Sequence, residues 1–256
     1  MLQAHSILWH YLWVAPNVYL LALGILIWKR GLHTRIPAFL AFSVVSALGE
    51  LGLYSADVLP SVPAEFFWRI YWANVLIQGL LKFFIVAEIF AHVSRSYSSI
   101  ARAGKILIRG VVCIVVLAAT FAAAYAPRDG VFGIVSGAHF LEQATYIVEC
   151  GLLTFIFLFS AYFHLSWDRT TLGIALGLSI SACVHLAVWA VLANAGLSDS
   201  ARNNLVFLKM GTYHFCVLLW FYYLLVPHKG PTPQSHPLLT ENNLDLWNRE
   251  LERLLQ

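Results

Sequence analysis

The stretch that decides the fold is GLSISACVHLAVW, residues 177–189, which carries a histidine in an otherwise apolar setting. It belongs to a longer run, from Leu172 to Ala195, that contains no Asp, Glu, Lys or Arg. A helix of about 20 apolar residues is long enough to cross a bilayer. His185 therefore has to be explained as a polar residue at membrane depth.

The whole chain has the composition of an integral membrane protein. Of its 256 residues, 60% are apolar and 11% are charged, whereas soluble domains have about a quarter of their residues charged. Seven apolar runs are long enough to span lipid, at residues 8–28, 36–58, 70–93, 106–125, 140–163, 172–195 and 205–226. They lack the alternation of barrel strands, so backbone pairing in lipid requires helices. The sequence predicts an all-α membrane protein, a seven-transmembrane-helix bundle.

The positions of Lys and Arg outside the runs predict the orientation of this bundle. One side of the membrane would hold most of them: Lys29, Arg30, Arg35, Arg95, Arg102, Lys105, Arg109, Arg169, Lys229, Arg249 and Arg253. The other side would hold only Arg69, Arg128 and Arg202. The positive-inside rule then places the N-terminus outside and the C-terminus in the cytoplasm. The net charge of +3 is explained by this topology, so no nucleic-acid partner is predicted.

The chain divides into one transmembrane domain, residues 1–228, and a cytoplasmic tail, residues 229–256. An amphipathic helix is predicted over residues 242–255, because one apolar stripe contains Leu244, Trp247, Leu251, Leu254 and Leu255. This helix could lie on the inner leaflet of the membrane. Since its polar side mixes acids and bases, it could equally dock onto a cytoplasmic or membrane protein partner.

The first three and last three runs show a weak internal repeat. With an offset of 135 residues, Ser46 aligns with Ser181 and Glu50 with His185. With three residues fewer in the next loop, Lys82 aligns with His214. Both sets would run in the same direction, with the fourth run as connector. This pattern predicts a 3+1+3 parallel repeat.

Five ionisable residues lie near the middle of their runs: Glu50, Lys82, Glu149, His185 and His214. The helical rise places all five within roughly 5 Å of the membrane midplane. A charge at that depth costs at least about 2.5 kcal/mol, so such residues are expected to face the bundle interior and to pair. The partners on the same helix faces are Ser46, Gln78 and Ser181. These eight residues form the predicted site for a small ligand, an ion or a proton.

Within this set, Glu50 and Lys82 are expected to balance each other's charge. His185 and His214 would be the groups that titrate near neutral pH. A purely structural alternative also stays open, because buried polar residues can tie membrane helices together. Lys209, close to the end of the seventh run, is expected to extend to the outer surface.

Three cofactor chemistries fit the sequence poorly. A retinal Schiff base would need a lysine near the middle of the seventh run, where His214 stands. A metal hydrolase would show paired histidines on one helix, such as His-Glu-x-x-His, and no such pair occurs. Haem ligation by His185 and His214 would supply a single axial pair without a second one at another depth. Accordingly, no cofactor and no catalytic residue is predicted, and an enzyme is not favoured.

The segment IYWANVLIQGLLKFFIVAEIFAHVSRSY, residues 70–97, has an aromatic pair, a long apolar stretch, then EIF and a short basic loop. It resembles the third-helix region of an uncharacterised group of bacterial seven-helix integral membrane proteins. The resemblance implies a bacterial inner membrane, that is, a plasma membrane location. It implies no activity and no functional residue.

Three functions remain open at this stage. The first is a sensor or signal-relay module that binds a small ligand, ion or proton at the midplane site. The second is a small transporter that uses the same site. The third is a non-catalytic subunit of a larger membrane complex.

Overall fold

A computed structural model describes residues 5–59, 61–94, 131–163, 165–192 and 198–226, together with positions 110, 113 and 253. For residues 131–140 the description covers the backbone alone. The described part is all-helical, and six of its helices are long and apolar enough to cross a membrane. The predicted all-α, multi-pass membrane class is confirmed to this extent.

The six long helices follow the apolar runs closely. They are α1 (Ile7–Lys29), α2 (Pro37–Val58), α3 (Ala64–Val93), α4 (Val131–Tyr162), α5 (Arg169–Leu192) and α6 (Asp199–Leu225). A short 3-10 helix, Leu32–Thr34, connects α1 to α2. The predicted fourth run, 106–125, lies outside the described residues apart from positions 110 and 113, so α4, α5 and α6 correspond to the last three runs. The tail helix predicted over 242–255 also lies outside them, apart from Arg253.

Local sequence signals set the helix ends. The Ser6 hydroxyl accepts a hydrogen bond from the backbone N–H of Trp9 at 3.3 Å and caps α1. The chain leaves α1 through Gly31, whose φ of 69° is left-handed and suits glycine. Pro37 occupies the first turn of α2, where its missing N–H costs no helical hydrogen bond. Ser198 caps α6 as Ser6 caps α1.

The six helices form a closed ring in chain order, in which each packs on the next and α6 packs on α1. Consecutive helices are antiparallel, with one exception along the chain. Lys82 in α3 contacts Glu149 in α4, and further along Phe90 contacts Phe159. Because both residue numbers rise together, α3 and α4 run parallel.

The junction that closes the ring is parallel as well. Tyr19 of α1 lies against His214 of α6, with ring centroids 5.6 Å apart. Further along both helices, the Arg30 guanidinium donates to the carbonyl of Leu224 at 2.7 Å. The ring therefore consists of two sets of three helices, α1–α3 and α4–α6, joined at two parallel contacts.

Packing in the ring relies on small residues at the closest approaches. A Cβ added to Gly177 in α5 would overlap the indole of Trp220 in α6, so a larger residue there would force the two helices apart. On the outside of the ring, large apolar side chains are exposed, including Ile25, Phe84, Leu158 and Phe215. An apolar outer surface of this kind is suited to contact with lipid acyl chains.

Candidate ligand site

A cavity of about 560 Å³ lies inside the ring, and all six helices contribute to its walls. Its lining comes from residues 9–17 of α1, 42–50 of α2, 71–82 of α3, 142–146 of α4, 178–192 of α5 and 206–220 of α6. Most of these residues lie between the centre of the ring and the end that holds the N-terminus of α1, whereas Phe42 and Trp220 lie nearer the opposite end. The volume is in the range of sites that hold small organic molecules.

Glu50 of α2 lies on the cavity wall and is held by three N–H donors. The indole Nε1 of Trp13 donates to Glu50 Oε2 at 3.2 Å. The side-chain amides of Asn74 and Gln78 donate to Oε1 at 3.0 and 2.8 Å. Both carboxylate oxygens are therefore satisfied by neutral groups from α1 and α3, which fixes the side chain between three helices.

Lys82 forms an ion pair deep in the ring. Its Nζ lies 3.2 Å from Glu149 Oε2 of α4, and the two side chains are 9% and 0% exposed. The same ammonium group lies 4.2 Å from the ring centroid of Tyr146. A desolvated cation is stabilised by both contacts, since the carboxylate supplies charge and the aromatic face supplies a negative quadrupole.

A second ion pair lies nearer the end of the ring that holds the N-terminus of α1. Lys209 Nζ of α6 is 3.6 Å from Glu142 Oε1 of α4, and it lies 5.3 Å from the ring centroid of Trp189. The hydroxyl of Tyr71 in α3 donates to the other oxygen of Glu142 at 3.0 Å. Glu142 thus connects α3, α4 and α6 at one level of the cavity.

His185 of α5 stacks on Tyr146 of α4 with ring centroids 4.6 Å apart. Its Nδ1 lies 2.7 Å from the carbonyl oxygen of Ser181, one turn earlier in α5. Because a carbonyl can only accept, Nδ1 carries the proton, and Nε2 carries the lone pair in the neutral ring. Tyr146 therefore contacts both the Lys82 ammonium and the His185 imidazole.

The inner end of the cavity is closed by aromatic rings. Trp220 of α6 meets Phe39 and Phe42 of α2 edge to face, with centroid distances of 5.2 and 6.2 Å. All three side chains are buried. This aromatic floor, Phe39, Phe42 and Trp220, bridges the two sets of helices across the centre of the ring.

Five of the eight residues predicted for the site line this cavity: Glu50, Gln78, Lys82, Ser181 and His185. Glu149 does not line the cavity but contacts Lys82, which does. Ser46 is buried in α2, and its hydroxyl has no hydrogen-bond partner among the described residues. His214 is not brought into the cavity, since its ring lies between Tyr11 and Tyr19 of α1, each with a centroid distance of 5.6 Å.

Two expectations from the sequence need correction. The charge partner of Lys82 is Glu149 and not Glu50, because α3 turns its lysine towards α4 while Glu50 meets the neutral donors of α1 and α3. Lys209 does not extend freely to the surface, because Glu142 offers a closer charge partner and leaves the lysine only 21% exposed.

Sequence reasoning also missed most partners of these charges. Asn74 could have been found, since Asn74, Gln78 and Lys82 follow each other at intervals of four and so share one face of α3. No comparable pattern identifies Trp13 or Tyr71, because aromatic residues are frequent in every run of this chain.

Metal ligation finds no support in the described ranges, where no group of three His, Cys, Asp or Glu side chains is arranged to hold an ion. Cys150 and Cys183 are free thiols whose sulfur atoms lie 3.8 Å apart between α4 and α5. Neither cysteine lines the cavity.

Comparison of this chain with protein-family models, with curated proteins and with solved structures finds no match. The resemblance of residues 70–97 to bacterial seven-helix proteins therefore stays a prediction.

Proposed function

We propose that this protein is a membrane sensor or signal-relay module that binds a small molecule within its helical ring. The observation that carries the proposal is the cavity of about 560 Å³, in which charged side chains from α2, α3, α4 and α6 converge. Charges are costly at membrane depth and are commonly retained there for binding or transport. A ligand that contacts all six helices would alter their packing, which is the change that a relay has to transmit.

The full topology belongs to the same proposal: seven spans, the N-terminus outside and the C-terminus in the cytoplasm of a bacterial inner membrane. The parallel contact between α3 and α4 supports an additional crossing between them, because a chain that leaves α3 at one end must begin α4 at the other. Under this topology the cavity would face the outside, and the tail, residues 229–256, would face cytoplasmic partners.

Ligand binding can be tested with the purified protein in nanodiscs. A library of small polar and aromatic compounds is screened for a rise in unfolding temperature, since a ligand at 100 times its Kd adds about 2.7 kcal/mol of stability. Ser181→Leu, which would fill the cavity from α5, should abolish the shift. Ser179→Leu is the matched control, because Ser179 lies on the same helix but does not line the cavity. If no compound raises the unfolding temperature, or every rise persists in Ser181→Leu, the proposal is wrong.

A transporter is the second candidate, and the arrangement of the two helix sets favours it. With the sequence offsets of 135 for α5 and 132 for α6, Gly177 and Trp220 fall on positions 42 and 88. The close approach of Gly177 to Trp220 in α5 and α6 therefore corresponds to positions 42 and 88 in α2 and α3. In the structure, the backbone N–H of Phe39, less than one helical turn from position 42, donates to the Glu88 carboxylate. Similar helix pairing in both sets supports the 3+1+3 repeat, and repeats of this kind are frequent in transporters.

Transport and relay are separated by one measurement. A labelled compound that passes the binding test is added outside proteoliposomes that contain the protein and excess unlabelled compound. A transporter would accumulate the label by exchange, whereas a relay module would only bind it at the stoichiometry of the protein. Proteoliposomes with Ser181→Leu provide the background.

A further inference from the structure

The charges around the cavity are unequal in number. Among the residues that the structure describes, three carboxylates, from Glu50, Glu142 and Glu149, meet two ammonium groups, from Lys82 and Lys209. With all five ionised, one negative charge is left in excess. Each lysine has a glutamate of its own, so the surplus negative charge belongs to Glu50, which has no ion-pair partner among the described residues.

The hydrogen bonds of Glu50 suit the ionised form of the carboxyl group. The indole N–H of Trp13 can only donate, and the two amide NH₂ groups of Asn74 and Gln78 donate as well. None of these three groups could accept a hydrogen bond from a carboxylic acid proton. Neutral donors stabilise a carboxylate only partly in a low-dielectric site, so a cation that reaches Glu50 would gain a strong interaction.

The walls near Glu50 fit an organic cation better than a metal ion. Calcium and magnesium need several oxygen ligands, whereas the hydrogen-bond partners of Glu50 are N–H donors and no group of three ligating side chains occurs among the described residues. Both ammonium groups already in the cavity lie between a carboxylate and an aromatic face, Lys82 with Tyr146 and Lys209 with Trp189. Glu50 offers the same combination with the indole rings of Trp13 and Trp9, which meet edge to face at 4.7 Å and also line the cavity.

From these observations we infer that the cavity binds a small organic monocation, a protonated amine or a quaternary ammonium compound, with Glu50 as its counter-ion. The inference rests on the proposed function, because it names the ligand class of the same cavity. Aromatic side chains would hold the cation through their faces and the carbon skeleton through apolar contact.

The test uses four probes that share a phenyl group and differ in charge. They are 2-phenylethylamine and benzyltrimethylammonium as cations, 2-phenylethanol as the neutral analogue and 3-phenylpropanoate as the anion. Binding to the full-length protein in nanodiscs is followed by quenching of tryptophan fluorescence. Both cations should bind roughly 10- to 100-fold more tightly than the alcohol, as expected for a charge-assisted contact, and the anion should bind most weakly.

A variant then assigns this preference to one residue. Glu50→Gln should reduce the affinity for both cations roughly 10- to 100-fold and leave 2-phenylethanol unchanged. Glu65→Gln is the matched control, because Glu65 is an exposed glutamate at the start of α3 that does not line the cavity. If Glu50→Gln does not fold, the wild-type probe series decides alone.

Equal binding of all four probes, tighter binding of the alcohol or the anion, or no binding of either cation would overturn the inference. These outcomes leave the proposed function intact when another compound from the library binds in a way that Ser181→Leu abolishes. Conversely, cation binding that survives Ser181→Leu would place the cation outside the cavity and would refute the inference, whereas the proposed function is refuted only if every library compound also still raises the unfolding temperature of Ser181→Leu.

Discussion

The ion pair between Lys82 and Glu149 allows a quantitative test of the site. In Lys82→Met, the Glu149 carboxylate would stay fully buried without its cation, and its Oε1 already has no hydrogen-bond partner among the described residues. Breaking a buried pair from one side costs about 3–5 kcal/mol of unfolding free energy. The lost contact with the Tyr146 ring is included in that range. We therefore expect Lys82→Met to lower the unfolding free energy by about 3–5 kcal/mol.

The assay is a double-mutant cycle with Lys82→Met, Glu149→Gln and the double variant, measured by reversible unfolding in mixed micelles. Because the double variant carries no buried charge at this position, it should be less destabilised than the sum of the two single changes. A coupling free energy of at least about 1.5 kcal/mol is expected for a close charge pair. Arg69→Met serves as control, since it breaks an exposed pair with Glu65 and should cost under about 1 kcal/mol.

Two results would refute this reasoning. Additive effects, within about 0.5 kcal/mol, would mean that the two side chains do not interact in the folded protein. A cost for Lys82→Met no larger than that for Arg69→Met would mean that water or lipid headgroups reach the Glu149 carboxylate.

Three further predictions concern the packing and the limits of the site. Gly177→Leu should prevent folding because the new leucine would overlap Trp220, whereas Gly151→Leu should be tolerated because the space around Gly151 is open. Far-UV circular dichroism and gel filtration measure whether each variant folds. Trp220→Ala should lower the unfolding free energy by about 3–5 kcal/mol and expose the buried Cys216 thiol, so that a water-soluble maleimide labels it faster. An unchanged labelling rate would contradict the role of Trp220 in closing the cavity. His214→Gln should change the affinity of any cavity ligand less than about twofold in a binding titration, because a difference that small is under 0.5 kcal/mol; a larger loss would place His214 in the site.

The helices themselves could be predicted well from the sequence. The apolar run 36–58 matches α2, Pro37–Val58, almost residue for residue, because the length of a membrane span is set by the thickness of the hydrocarbon. The start of α3 is earlier than the predicted Ile70. Residues 64–69, AEFFWR, contain Glu65 and Arg69, which form an i, i+4 ion pair that an apolar window does not reveal.

The sequence predicts how deep in the membrane each site residue lies, but it does not predict which way its side chain points. A rise of 1.5 Å per residue places Lys82 and His214 at similar levels, yet depth says nothing about the rotation of each helix about its own axis. The structure turns Lys82 into the cavity and His214 towards the tyrosines of α1. The choice of ion-pair partner depends on the same rotation, so depth alone does not predict that Lys82 pairs with Glu149.

The way in which the buried charges are shared between the two helix sets has a consequence for synthesis. Glu50 receives all three of its hydrogen bonds from α1 and α3, so it can be satisfied as soon as the first three helices have left the ribosome. Among the described residues, Lys82 has two partners, Glu149 and Tyr146, and both belong to α4. A nascent chain that stops after α3 thus carries the Lys82 ammonium group into the bilayer without either of these two partners. The ammonium group stays a costly charge at membrane depth until α4 is inserted beside it.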